Sequence, residues 1–287
     1  MDWLLPGLGR RSGCWKESII LEDLMIVALY KVWRGEEFME ASLASIYYHV
    51  GAILVLSSEI SWNGVKGNTV KPVVEKWKKE NDHYDKIKIV DFDSLSQDAQ
   101  YQFGVQLIRK IYPNCTWIMI VDTDEIWDDE NLLRAKNKYL KFSRGIGAYR
   151  TRHWGCVKSL LYAVEDDGRA VQPMVFVRSD CQFRGVRGSA SGPSITMEDV
   201  TWFHASMIRK TEQDVFDKIK TSTIGDINVK CTDLTWWKIN VWDKIPNVEN
   251  FHYTIGFEYV WKRIRKIKVE DLPPTLRNHP LLEGACK

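Results

Sequence analysis

Three carboxylates at the end of one apolar run carry the clearest chemistry in this chain. In WIMIVDTDEIWDDE (117–130) a wholly apolar run leads into Asp122 and Asp124, two positions apart, with Glu125 adjacent. The run predicts a buried strand that delivers these acids to its carboxyl end. Carboxylates held this close repel one another, and a divalent cation that shares their oxygens removes that cost. Asp128, Asp129 and Glu130 have a simpler account, because acids at a helix N-terminus complement its dipole. An EF-hand is excluded: counted from Asp122, the sixth position is Trp127 and the twelfth Leu133, where that loop requires Gly and Glu.

The elements that must position these acids read as alternating strands and helices. Strands are predicted at 26–32 (IVALYKV), 52–58 (AILVLSS), 86–92 (KIKIVDF) and 117–121 (WIMIV). Between them lie helices at 36–49, with Phe38, Ala41, Leu43, Ile46 and Tyr47 at helical spacing, at 71–80 from Pro72, and at 97–111 before Pro113. Asn63-Gly64 and Gly67-Asn68 are turn signals. Repeated units of this kind imply an α/β fold with a mostly parallel sheet flanked by helices. Such sheets bind ligands beyond their carboxyl edge, where Tyr30, Ser57, Glu59, Asp93 and Asp122 fall. After Asn131 the pattern shifts to mixed α+β, with short strand-like runs at 147–152, 160–164, 174–177 and 200–204 and an Asp167-Gly168 hairpin turn. Thr211 and Asp214 form an approximate capping box for a helix to about Thr221, with Val215, Phe216 and Ile219 on its apolar face.

Composition narrows the function classes. The 287 residues are 45% hydrophobic, enough for a substantial core, and 40 Lys and Arg against 38 Asp and Glu leave a net charge of +2. No whole-molecule field therefore demands nucleic acid. No apolar run approaches the roughly 18 residues that span a bilayer. The start, MDWLLPGLGRR, has an acid at position 2 and a short apolar patch cut by Pro6, unlike a secretory signal. Six dispersed cysteines without C-x-x-C read as reduced thiols, and the expected location is cytoplasmic. There is no P-loop, no G-x-G-x-x-G and no G-x-S-x-G elbow. With no repeat or linker, one continuous domain is expected over 23–287, preceded by an irregular extension at 1–22.

IVALYKVWRGEEFMEASLASI, then AILVLSSE, then WIMIVDTDE together resemble the nucleotide-sugar-binding half of a GT-A glycosyltransferase, similar to family 2 and its relatives. The resemblance covers roughly 26–130 and, more weakly, 200–225. It implies a GT-A-like fold, with 23–130 as the nucleotide-sugar half, 131–235 as the acceptor-side half and 236–287 as an aromatic and basic helical segment. It implies that Asp122 and Asp124 hold Mn²⁺ or Mg²⁺ on the donor diphosphate, with Thr123 on the donor side. His204, in VTWFHASMIRKTEQDVFDKIKTS, matches the later His that completes such sites; a neutral imidazole is a competent third ligand, and a packed strand-end His is the alternative.

The donor-side residues follow from the same resemblance. Tyr30 either stacks on the donor base or packs within its strand. Glu59 either accepts a hydrogen bond from base or ribose or is a turn acid; the acid usual after the second strand is replaced here by Ser57-Ser58-Glu59. Arg34 and Gln102 are donor-side candidates, with surface and capping roles as alternatives. The small-residue run from Arg184 to Ser194 can close over the donor and bring Arg184 or Arg187 to the diphosphate, or be a plain loop. The expected donor is a UDP-sugar or another nucleoside-diphosphate sugar. The expected acceptor is a hydroxyl of a glycan, lipid-linked glycan, protein or hydroxylated DNA base. An inverting enzyme needs a carboxylate base, for which Asp180 and Asp199 are the first candidates.

Residues 236–268 combine aromatics with Lys262, Arg263, Arg265, Lys266 and Lys268. They suit either an anionic membrane surface or nucleic acid, or a C-terminal helix packed on the sheet with its lysines solvated. The functional expectation is a metal-dependent glycosyltransferase. Its rivals are a nucleotidyltransferase or phosphodiesterase on the same acids, and a noncatalytic nucleic-acid or glycan-binding module.

Overall fold

The first strand, β1 (Ile26–Val32), is buried at every position except Lys31, as a central parallel strand covered on both faces must be. It is seen in a computed structural model that describes residues 24–60, 66–67, 69–94, 96–166, 172–184, 187, 189–221, 233–251 and 261–283. Next come α1 (Glu36–Ile46), β2 (Ala52–Ser57), α2 (Lys71–Asn81), β3 (Ile87–Asp91), α3 (Gln97–Ile111) and β4 (Trp117–Val121). The four strands are parallel in the order β3-β2-β1-β4.

Period-two alternation in β1 explains the two helical layers. Ala28 and Tyr30 pack with Met39 and Leu43 of α1 and Val74 and Trp77 of α2. Val27 and Leu29 face Tyr101, Val105 and Ile108 of α3 on the other side. The α3 helix comes close because Gly104 lacks a side chain: a Cβ there would lie 2.7 Å from Leu29 Cδ1. The chain moves from β1 outward to β3 and is then returned by α3 to the far side of β1. Strand order therefore reverses between β1 and β4, the kind of point at whose carboxyl ends such sheets take ligands.

The second half extends the same sheet. It holds β5 (Glu125–Ile126), α4 (Asp129–Arg134), β6 (Ala148–Val157), β7 (Ser159–Asp166), β8 (Met174–Arg178), β9 (Phe183–Arg184), β10 (Ser189–Ala190) and β11 (Ser194–Met207). Then follow α5 (Glu212–Thr221), α6 (Leu234–Asn240), β12 (Glu249–Phe251) and β13 (Trp261–Lys266). β8 lies antiparallel to β4, and β6, β7, β13 and β12 continue outward, each antiparallel to its neighbour. β11 runs parallel to β6 and antiparallel to β5. The fold is thus α/β and Rossmann-like, parallel where the site lies and mixed beyond it, in line with the sequence.

The C-terminal segment differs from the helical one expected. Among the described residues of 236–287, only the end of α6 is α-helical, and the basic run itself is the strand β13. Its reason is nonlocal: β7 offers a strand edge, Ile264 pairs with Val164, and Ile264 packs at the margin of the cluster around Trp237 and Trp242. Arg263 and Arg265 both pair with Glu165, and Arg265 also lies 4.4 Å over the Trp154 ring. These two cations are engaged locally instead of presenting a bare basic face. No helix among the described residues is long and apolar enough to cross a membrane. The 1–22 extension, the Asn63-Gly64 and Asp167-Gly168 turns, Asn68, and the aromatics Tyr253, Phe257 and Tyr259 lie outside the described residues.

Candidate functional site

Strand β4 ends at Val121, and the chain turns at once: the Glu125 N–H donates to the Asp122 carbonyl at 3.1 Å. Helix α1 holds the turn from below. Ser42 of α1 donates its hydroxyl to the Glu125 carbonyl at 2.7 Å, and its Oγ lies 2.8 Å from the Tyr30 hydroxyl. Ser45 Oγ accepts the Trp127 N–H at 3.2 Å. These serines supply partners for backbone groups at a place where α1 replaces a neighbouring strand. Gly35 completes the fit, since its φ of 103° suits glycine and a Cβ there would meet Thr123 Oγ1 at 2.5 Å. From above, β5 pairs with β11, setting His204 opposite Glu125.

The acids occupy distinct environments. Asp122 is 35% exposed, Asp124 only 6% and Glu125 only 1% as side chains. Arg187 binds Asp122 and Glu125 together: Nη1 donates to Asp122 Oδ2 at 3.1 Å and to Glu125 Oε1, and Nη2 to Glu125 Oε2 at 3.2 Å. Its remaining donors go to the carbonyls of Ile120, at 3.3 Å, and Met174, at 3.2 Å. The guanidinium has five N–H donors, so this set commits all of them. Arg187 also adopts φ 53°. A left-handed conformation costs a non-glycine residue roughly 1–2 kcal/mol, which its ion pairs offset. Burial pushes the Glu125 carboxyl up to about 7, with Arg187 opposing that rise and Asp122 adding to it.

Asp124 is bound by a second group of bases. Its Oδ2 accepts from Arg209 Nη2 at 2.9 Å and Lys218 Nζ at 2.8 Å, while His204 Nε2 stands 3.5 Å from Oδ1. Burial alone would raise its pKa, but Lys218, His204 and Arg209 more than offset this and hold it well below the carboxylate range. Lys31, at the end of β1, adds a further cation 5.1 Å over the Tyr101 ring, whose hydroxyl approaches Asp122 Oδ1 at 3.5 Å.

This donor set does not fit a divalent cation. Both oxygens of Asp124 face bases, Asp122 Oδ2 is on Arg187, and Glu125 is sealed against the same guanidinium. No three His, Cys, Asp or Glu side chains among the described residues converge in a way that could hold a metal ion. A dication here would also stand beside Lys218 and Arg209, whose charges repel it.

The structure places His204, Thr123 and Arg187 at the acidic turn, with Arg187 on its carboxylates. Arg187 is locked beneath the carboxylates, with no donor left for a diphosphate. Thr123 is buried and donates to the Arg34 carbonyl at 3.4 Å. Tyr30 is fully buried in the core with its hydroxyl on Ser42, so strand packing, not base stacking, is its role. Arg34 is exposed and stacks on Trp33 at 4.6 Å. Glu59 is an exposed turn residue whose N–H donates to Asp93 Oδ1 at 2.7 Å. Gln102 donates to Asp98 within α3 at 3.2 Å, a helix-surface pairing.

Neither base candidate reaches the turn. Asp180 follows β8, whose last residue, Arg178, pairs with Trp117 at the start of β4, and the Ser179 N–H donates to the Thr116 carbonyl at 3.1 Å. Asp180 thus lies at the opposite edge of the sheet from Asp122, paired with Arg178. Asp199 is held by Lys138, at 2.7 Å, and by Tyr139, and those bonds keep its pKa down at about 2. The Arg184 side chain lies outside the described residues. Asp128 caps α4 by accepting the Asn131 N–H at 2.8 Å, as the helix-terminus account requires.

Arg209, Lys218, Lys31 and Ser42 are the site residues that sequence reasoning missed. Lys218 had a signal: it lies between Val215 and Ile219 on the inward stripe of α5, where a lysine needs an anionic partner. No protein-family model matches the chain, and no curated protein matches it. Among solved structures it is similar to 4-diphosphocytidyl-2C-methyl-D-erythritol synthase from Anaerococcus prevotii, at 12% identity and a TM-score of 0.42, over 69% of this chain and 95% of that one.

Proposed function

We propose that the chain is a glycosyltransferase that moves a sugar from a nucleoside-diphosphate donor, a UDP-sugar foremost, to a hydroxyl acceptor. One observation carries the reading: acids and bases converge at the carboxyl edge beside the β1–β4 reversal, where such sheets take ligands. A diphosphate sugar needs both kinds of group. Carboxylates accept from sugar or ribose hydroxyls, and cations offset the negative charge of the diphosphate. Asp122, the most exposed of the three acids, is the one a substrate hydroxyl reaches.

In the transfer, the bond from the anomeric carbon to the diphosphate oxygen breaks and its electron pair stays on that oxygen. The acceptor oxygen bonds to the anomeric carbon and gives up its proton to a base. A panel of UDP-, GDP- and CMP-sugars tests the reading through ligand-induced thermal stabilisation. At least one should raise Tm for the wild type and not for Asp122→Asn. Stabilisation by nucleoside triphosphates but by no nucleotide sugar would favour nucleotidyl transfer. Salt-sensitive DNA binding unaffected by Asp122→Asn would favour a binding module.

A further inference from the structure

The amino edge of the sheet, opposite the acidic turn, carries apolar side chains in solvent beside cations. Tyr48, Tyr84 and Phe142 are 74%, 69% and 71% exposed, and Leu133 is 47% exposed. The rings of Tyr48 and Tyr84 lie 5.2 and 6.5 Å from that of Tyr47, which joins them into one patch. The patch extends onto α4 through His49, whose Nε2 meets Asp129 Oδ1 at 2.8 Å and whose carbonyl accepts from Lys136 Nζ at 3.0 Å. Leu133, four residues after Asp129 and three before Lys136, shares their helix face. The helix runs on from α4 through a π turn (Ala135–Tyr139) and a 3₁₀ turn (Leu140–Phe142), and Leu132, Ala135 and Leu140 are its buried residues. Leu133 and Phe142 are apolar side chains that this packing leaves in solvent.

This helical run carries charge of one sign past its first turn. Residues 131–144 hold Arg134, Lys136, Lys138, Lys141 and Arg144 and no acid. Arg134 and Lys138 are held by Glu130 and Asp199, while Lys86 and Lys136 bond the carbonyls at the end of α1. Lys141 and Arg144 are exposed and, among the described residues, have no ion pair. Lys141 stands close to the patch: burial lowers the pKa of Lys136 first, and the charge of Lys141 comes next. The acids nearby are engaged within the fold, Asp82 on the Tyr47 hydroxyl, Asp85 on Lys78 and Asp129 on His49.

We propose that this face seats the protein on an anionic lipid surface, with Tyr48, Tyr84, Leu133 and Phe142 in the headgroup layer and Lys141 and Arg144 on lipid phosphates. Rings with a polar tip, bare apolar side chains and flanking cations together make an interfacial contact. Nucleic acid fits less well, because Lys86 Nζ sits over the Tyr84 ring at 5.6 Å and Leu133 offers no face on which a base stacks. The acidic turn, at the other edge of the sheet, stays open to solution in this pose. The docking is independent of the transferase reading.

The test uses the full chain in co-sedimentation with vesicles of phosphatidylcholine, alone or mixed in equal parts with phosphatidylglycerol. Wild type should bind the anionic vesicles about tenfold more tightly than the neutral ones and lose that advantage in high salt. Tyr48→Ser with Tyr84→Ser, and Lys141→Glu with Arg144→Glu, should each weaken binding about fivefold or more. Both double variants are checked for cooperative unfolding, so that loss of fold is not taken for loss of docking. Absence of binding to anionic vesicles overturns the proposal, as does unweakened binding by either folded double variant. Binding of a single-stranded oligothymidine that is tighter than vesicle binding and weakened by the same substitutions overturns it too, and assigns the face to nucleic acid. The vesicle results leave the transferase reading untouched, since that is tested by the nucleotide-sugar panel.

Discussion

Arg187 and Glu125, 62 positions apart in the chain, form a buried ion pair beneath the acidic turn, with side chains 8% and 1% exposed. Because the same guanidinium also holds Asp122 and two carbonyls, its removal leaves several buried acceptors unpaired at once. Breaking a buried pair from one side costs about 3–5 kcal/mol. Arg187→Met should therefore lower stability by roughly that amount in urea unfolding, and Arg187→Lys should recover only part, because three donors cannot replace a planar set of five. A loss below about 1 kcal/mol would mean that the pair contributes little to the fold.

Gly35 and Thr123 are a second close relationship with a measurable consequence. Alanine at 35 brings a Cβ to 2.5 Å from Thr123 Oγ1 and also requires φ 103° of a residue with a side chain. Overpacking and backbone strain each cost on the order of 1–3 kcal/mol. Gly35→Ala should therefore destabilise by roughly 2–4 kcal/mol. In a Thr123→Ala background the clash is gone and only the backbone part should persist. A double-mutant cycle with no coupling between the two positions would contradict the contact.

How much of this was legible beforehand depends on where each signal resides. The four parallel strands were readable because each is an apolar run with no solvent face to interrupt it, and β4 begins and ends where its run does. The acidic turn was readable for the same reason, as the place where that run stops. β13 was not: in WKRIRK the pattern is dominated by basic residues, and the strand exists because β7 supplies an edge about 100 residues earlier in the chain. Asp180 was misplaced through direction. It follows a strand as Asp122 does, but β8 runs antiparallel to β4, so the two acids leave the sheet at opposite edges. The role of Arg187 was hidden by its setting in a glycine- and serine-rich run, where nothing local reveals that the turn comes within reach of the acids.

Glu125 makes stability depend on pH in an identifiable window. Between its ordinary value of 4.5 and about 7, the folded state retains a proton that the unfolded chain has lost. Stability from this group therefore falls as pH rises through that interval. Glu125→Gln should flatten that part of the profile when urea midpoints are compared with wild type from pH 4.5 to pH 7.5. Parallel profiles for the two proteins would show that the carboxyl titrates normally.

His153 acts in the opposite direction. Burial, with the charges of His204 and Arg187 adding to it, lowers its pKa from 6.5 to about 3. The unfolded chain therefore takes up a proton below about 6.5 that the folded chain refuses, and stability is lost as pH falls from there. The ring stacks on Trp202 at 4.9 Å, so phenylalanine keeps the contact and removes the titration. His153→Phe should hold its urea midpoint more nearly constant between pH 6.5 and pH 4.5 than wild type does. An equal decline in both proteins would assign the acid sensitivity elsewhere.

Asp180 and Asp199 separate placement in the fold from simple acidity. Asp180 is exposed, lies at the far edge of the sheet and has its pKa lowered chiefly by Arg178. Asp199 is bound by Lys138 and Tyr139. Neither can take a proton from an acceptor at the acidic turn, so Asp180→Asn should leave donor turnover and nucleotide affinity unchanged and shift stability by no more than about 0.5 kcal/mol. Asp199→Asn should likewise spare turnover, with a modest stability loss from its lost pairing with Lys138. Asp122→Asn, measured beside them, should abolish donor-dependent activity. If Asp180→Asn abolished turnover while nucleotide affinity stayed intact, the reactive edge of the sheet would have to be the amino end of β4 and not the carboxyl end.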